Sequence, residues 1–228
     1  MVTDIFCDAA TLADIEQYGD DPSVQGFTTN PSLMRKAGIT DYREFAKQVL
    51  KRVGNKPVSF EVLADDFPTM ESQAREIASW GPNVWVKIPI TNTNADPSIW
   101  LIQQLGDIKI NLTAVMTPFQ GTYALDFLKA DDILSIFVGR ITDTGVSPVQ
   151  ALAPALGYQK HSGKKARILW ASAREVYNYY QAEQLEVDII TLTPDLIAKQ
   201  KALRNKDLDI YSLETVRMFF KDGQGITL

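Results

Sequence analysis

Val84-Trp85-Val86-Lys87-Ile88 reads as one β-strand with two unlike faces. Side chains alternate across a strand, so Val84, Val86 and Ile88 share one side and Trp85 and Lys87 the other. An aliphatic face suits packing beneath helices, and the opposite face of a barrel strand looks into the lumen. A lysine aimed there loses water, which disfavours a charged amine. A neutral amine is the form that attacks a ketone or aldehyde to make a Schiff base.

Seven more short stretches of β-branched and aromatic residues surround this one, near Asp4–Cys7, Gln25–Thr29, Val58–Leu63, Ile108–Leu112, Ile133–Val138, Arg167–Ala171 and Val187–Thr191. With Asn83–Ile88 they make eight, and helical patterns separate them. Tyr42, Phe45, Ala46, Val49, Leu50 and Val53 follow one helical face, with Asp41 and Glu44 as a capping pair at its start. Asp96-Pro97, Ser147-Pro148 and Thr193-Pro194 each read as a cap residue before a first-turn proline. Alternating strands and helices imply parallel pairing. Eight units in 228 residues predict an α/β fold with a single (β/α)8 TIM barrel domain over 1–228, a doubly wound open sheet being the alternative. Leu208 to Phe220 reads as an extra C-terminal amphipathic helix. No repeat, low-complexity run or domain linker interrupts the pattern.

The bulk chemistry narrows the function classes. A net charge of −5 gives no global basic field for nucleic acid or an anionic membrane surface. No stretch is apolar for long enough to span a bilayer, and the N-terminus lacks the basic and apolar regions of a signal peptide, so the expected location is cytoplasmic. One cysteine, Cys7, leaves no intrachain disulfide and no Cys-rich metal cluster, and one histidine, His161, disfavours a His-based zinc site; no cofactor or metal motif is read in the sequence. Cys7 reads as a helix-facing core thiol and His161 as a solvated loop residue.

The same parity test, applied strand by strand, predicts inward Asp8 with Phe6, Thr28 and Asn30, Glu61 with Ser59, Asn111 with Thr113, Ser135 with Phe137, and Ser172 with Trp170. Leu169 and Ala171 fall on the helix side in this reading. The polar members lie toward the C-terminal strand ends, where barrel enzymes carry their sites. Arg140 and Arg174 follow strands six and seven, where barrels often bind phosphate. Each alone has a structural reading: a snorkelling lysine, ion-paired carboxylates, a turn at Asn30-Pro31-Ser32, surface arginines. Their convergence on one mouth is what points to chemistry.

These residues carry a resemblance. Gly26-Phe27-Thr28-Thr29-Asn30-Pro31-Ser32-Leu33 resembles the transaldolase signature after strand two, and Val86-Lys87-Ile88-Pro89 resembles the Schiff-base lysine motif of small transaldolases and fructose-6-phosphate aldolases. Asn111-Leu112-Thr113, Ser135-Ile136-Phe137-Val138-Gly139-Arg140, Ala171-Ser172-Ala173-Arg174 and Thr191-Leu192-Thr193-Pro194 match in family order. The resemblance implies a metal-free class I enzyme that moves a dihydroxyacetone unit from a ketose phosphate to an aldose phosphate. It implies Lys87 as the Schiff-base residue, Glu61 and Thr113 holding a catalytic water, and Asp8 as acid/base at the hydroxyl where the carbon–carbon bond breaks. Asn30 and Ser135 would bind the dihydroxyacetone unit, and Arg140, Ser172 and Arg174 the phosphate. Glutamine for Glu61 and tyrosine for Phe137 are expected in the aldolase siblings, so these two positions favour transfer over release. Ala173 departs from the bulkier residue of many relatives, and Trp85 and Trp170 are large for this site, which bears on the acceptor. A carbon–carbon lyase and a non-catalytic sugar-phosphate-binding barrel are the competing readings. The resemblance also implies a homo-oligomer, a pentamer or decamer, with the C-terminal helix reaching a neighbour.

Overall fold

Eight short strands pair in parallel and in chain order in the computed structural model, which describes residues 2–227. They are β1 (Asp4–Asp8), β2 (Gly26–Thr28), β3 (Val58–Glu61), β4 (Val84–Pro89), β5 (Ile110–Val115), β6 (Ile133–Ile136), β7 (Arg167–Trp170) and β8 (Ile189–Leu192). Pairing of β8 with β1, from Asp4↔Ile189 to Cys7↔Leu192, closes the barrel and excludes the open sheet. The helices are α1 (Leu12–Gly19), α2 (Pro31–Lys36), α3 (Tyr42–Val53), α4 (Phe67–Ala78), α5 (Ile99–Gln104), α6 (Pro118–Leu125), α7 (Val138–Thr142), α8 (Pro148–Ser162), α9 (Tyr177–Gln184), α10 (Pro194–Leu203) and α11 (Leu208–Asp222). None in the described residues is long and apolar enough to cross a membrane.

The main core lies between barrel and helices. Val84, Val86 and Ile88 of β4 enter it, as do Cys7, Phe60, Leu112 and Leu134, while Phe45, Ala46, Val49 and Val53 face it from α3. A smaller apolar cluster of Phe6, Ile133, Leu169, Ala171 and Ile189 fills the lumen, with Trp85 and Phe137 packed against it. Trp85 is turned inward as expected, but its indole donates to the Asp131 carbonyl at 2.6 Å and Lys109 lies 4.3 Å over its ring, so it does not line the cavity at the mouth.

Strand β7 reverses the expected parity. Leu169 and Ala171 face the lumen, and Trp170 is fully buried in the outer core. Paired residues on neighbouring strands point the same way, and Ser135↔Leu169 and Leu169↔Ile189 put Leu169 on the luminal side. The inference failed because it ran alternation through Ser172, which lies beyond the strand with φ 64°.

Helix starts mostly follow the sequence signals. Asp41 accepts from the Glu44 amide at 2.9 Å, and Ser147 forms a complete capping box with Gln150 ahead of Pro148. Asp96-Pro97 does not open a helix: Pro97 bridges to Thr91, Asp96 accepts from Asn92, and α5 begins after Ser98. Helix α11 has no buried residue.

Candidate active site

The polar residues at the C-terminal strand ends and the loops that follow enclose a cavity of about 330 Å³. Lys87 is 5% exposed at its floor. Its register partners are Glu61 on β3 and Asn111 on β5, so the barrel places a carboxylate and an amide beside the amine. Lys87 Nζ lies 3.1 Å from Glu61 Oε2 and donates to the Thr29 carbonyl at 2.9 Å.

Asp8 enters from the end of β1. Its Oδ1 accepts from the Thr28 hydroxyl at 2.8 Å, and Thr28 in turn meets the Thr191 hydroxyl at 2.6 Å. Burial raises the Asp8 pKa above the ordinary carboxylate value; the nearby charge of Lys87 and the Thr28 bond pull it down, and the charge of Glu61 pushes it up further. A carboxyl held this way keeps its proton to higher pH than a surface aspartate does. Thr113 also lines the cavity, and its buried hydroxyl has no protein partner. That leaves a donor–acceptor aimed at whatever enters.

The rim is built for an oxygen-rich ligand. Asn30 spends its Oδ1 on the α2 N-cap, accepting from Leu33 N–H at 2.9 Å, so its amide N–H₂ is what remains for a guest. Ser135 lines the cavity while donating to Asn111 Oδ1 at 2.6 Å. Phe137, Arg140 and Ser172 complete the far side, with the Arg140 guanidinium 5.2 Å from the Phe137 ring. Ser172 reaches the cavity through its left-handed backbone rather than through strand alternation.

Two expected site residues lie elsewhere. Asn111 is fully buried, and its amide is committed to Ser59 Oγ at 2.9 Å and to the Ser135 hydroxyl, so it supports the floor without lining it. Arg174 is half exposed outside the cavity lining and donates to Asp143 at 2.6 Å. Lys87, Asp8, Glu61, Thr113, Thr28, Asn30, Ser135, Phe137, Arg140 and Ser172 are brought together. Thr191 and Ser32, which also line the cavity, were missed. Thr191 was findable: it is the polar residue at the C-terminal end of β8, opposite inward Phe6. Among the described residues, no three His, Cys, Asp or Glu side chains gather as a metal site requires.

Fold and cavity together define a (β/α)8 barrel with a buried lysine and two carboxylates at the C-terminal mouth. Residues 5–224 match the model of the transaldolase/fructose-6-phosphate aldolase family, and the chain belongs to that family. A probable transaldolase of Brucella melitensis is 32% identical over 223 residues, which is 97% of this chain and 98% of that protein. Another, from Dehalococcoides mccartyi, is 33% identical over 190 residues, 82% of this chain and 85% of its own. Among solved structures, dihydrodipicolinate synthase from Rhodopseudomonas palustris superposes with a TM-score of 0.60 at 16% identity, over 99% of this chain and 84% of that one, a likeness of fold alone.

Proposed function

We propose that this chain is a class I transaldolase in which Lys87 carries a dihydroxyacetone unit from a ketose phosphate, such as fructose 6-phosphate or sedoheptulose 7-phosphate, to an aldose phosphate such as erythrose 4-phosphate or glyceraldehyde 3-phosphate. The observation that carries the reading is the buried Lys87 amine, 3.1 Å from Glu61 in a cavity shared with Asp8.

Lys87 Nζ attacks the ketose carbonyl, and the carbinolamine loses water to leave a Schiff base. Glu61 and the unpartnered Thr113 hydroxyl hold the water that passes protons during these steps. Asp8 takes the proton of the adjacent hydroxyl as the carbon–carbon bond breaks, and the aldose product leaves. The enamine kept on Lys87 then attacks the acceptor aldehyde, Asp8 returns the proton, and water releases the new ketose. Asn30 and Ser135 hydrogen-bond the retained unit, and Arg140 with Ser172 holds the phosphate. Phe137 brings no hydroxyl to protonate the enamine, which favours transfer over release of free dihydroxyacetone.

Assay of fructose 6-phosphate with and without erythrose 4-phosphate tests the reading. Consumption that needs the acceptor supports transfer; cleavage at the same rate without it makes the protein an aldolase; binding without turnover of any ketose phosphate makes it a binding barrel.

A further inference from the structure

Strand β2 ends early. Its last rungs to β3 are Phe27 N–H to the Pro57 carbonyl at 2.8 Å and Thr29 N–H to the Ser59 carbonyl at 3.1 Å. The chain then leaves the barrel, since Asn30 caps α2 and Pro31 opens it. In a parallel ladder the next rung would run from Glu61 N–H to the Thr29 carbonyl. That carbonyl accepts from Lys87 Nζ instead. Glu61 N–H donates to the Tyr42 hydroxyl at 2.8 Å, and the same hydroxyl donates to the Glu61 carbonyl at 3.1 Å. One phenol thus satisfies both backbone groups of the residue that carries the carboxylate facing Lys87.

The phenol is held in place. Tyr42 is the first residue of α3, and its ring meets Trp80 at 5.3 Å and Phe60 at 6.0 Å, both edge-on, while Phe60 and Trp80 contact each other at 5.6 Å. These contacts fix where the hydroxyl sits. Tyr42 does not line the substrate cavity. Burial also raises its pKa, so the hydroxyl keeps its proton.

We propose that Tyr42 is a positioning residue for the Lys87–Glu61 pair, its hydroxyl standing in for the strand that β2 ceases to be. It fixes the Glu61 backbone and leaves the Thr29 carbonyl to orient the lysine amine. The proposal rests on the proposed Schiff-base role of Lys87. Without the hydroxyl, Glu61 N–H has the Thr29 carbonyl as its nearest ladder acceptor, and the lysine loses that partner.

Steady-state kinetics of Y42F, E61A and the double variant form the test, with thermal melting of each. Y42F is expected to lower kcat about tenfold with KM within about twofold, because it touches no substrate. In the E61A background the same change should cost less than about twofold, since it acts through Glu61. V49A, which truncates a buried α3 residue about two turns beyond Tyr42, should lower the melting temperature and leave kcat unchanged. Hydrogen exchange on the wild-type protein gives a readout that needs no variant to fold: the Glu61 amide should be as protected as that of Val62, which donates to the Lys87 carbonyl. A wild-type kcat in Y42F, a full tenfold loss persisting in E61A, or a fast-exchanging Glu61 amide overturns the proposal. A wild-type protein that turns over no ketose phosphate overturns the reading beneath it, and the exchange measurement then still decides the ladder substitution.

Discussion

Asp8 sits where stability and chemistry pull in opposite directions. Its pKa is raised in the folded protein, so the folded state holds this proton more tightly than the unfolded chain does. As pH rises from near 4 through the raised value, the unfolded chain releases the proton first, and the contribution of this group to stability falls. Asn at this position keeps the acceptor for Thr28 and removes the buried charge. Asp8→Asn should therefore melt higher than wild type at pH 7, with the difference shrinking as the pH approaches 4, and should lose most activity. A gap that is constant with pH in calorimetry contradicts this account. Thr113 gives a second separation of stability from function. Its hydroxyl is buried without a protein partner, so Thr113→Val should leave stability equal or better by up to about 1 kcal/mol. If the hydroxyl holds the proton-carrying water, kcat should fall on the order of 10²-fold; an unchanged kcat removes Thr113 from the reaction. Parity and polarity located most of this site in the sequence, because a luminal lysine or aspartate needs a partner and its neighbours' polarity is visible. They could not show that Asn111 is used up by Ser59 and Ser135, or that Arg174 turns to Asp143, since both depend on partners distant in sequence.

The junction between β6–α7 and the end of β7 carries the phosphate end of the proposed site, and its geometry depends on one close approach. A Cβ on Gly139 would lie 1.6 Å from the Ser172 carbonyl oxygen, so the two segments touch through backbone. Ser172, at φ 64°, presents its side chain to the cavity only in this arrangement. Gly139→Ala must push Ser172 away and carry Arg140 with α7. The expected cost is about 1–3 kcal/mol of stability from overpacking, with KM for a phosphorylated ketose raised about tenfold or more, equivalent to one charge-assisted bond. Wild-type stability with unchanged KM would show the contact to be incidental. Elements of this kind explain the sequence reading's one reversed strand. The apolar luminal pair of β7, Leu169 and Ala171, reads as a helix-facing set, which by alternation leaves Trp170 and Ser172 inward. Alternation holds only within regular strand, and a left-handed residue at its end resets the count. The proline-led helix starts were legible at Ser147 because the capping box is local; Asp96-Pro97 also sets a cap-type residue before a proline, yet Pro97 is drawn into a bridge with Thr91.

Over the whole molecule, eight strand-sized runs could be counted from the sequence, but closure depends on β1 meeting β8 across almost the full chain, which no local pattern encodes. Helix α11 shows the complementary limit. Its amphipathic pattern was visible, yet none of its residues is buried on the barrel: Leu208, Ile210, Leu213, Val216, Met218, Phe219 and Phe220 are all exposed. Such a concentration of apolar surface on one helix is costly in water, and the family resemblance implies a second copy of the chain as its cover. If a second copy covers it, removing residues 207–228 should lower the number of subunits per particle by light scattering after size exclusion, while circular dichroism retains the barrel. An unchanged mass would place the interface elsewhere.

The account depends most on the amine of Lys87 forming a covalent link to substrate. Borohydride reduction in the presence of fructose 6-phosphate, followed by peptide mass spectrometry, tests it directly. The expected result is a reduced three-carbon or six-carbon adduct on the peptide containing Lys87, absent without borohydride and absent in Lys87→Met. An adduct on another lysine, or none while the protein remains active, would contradict it.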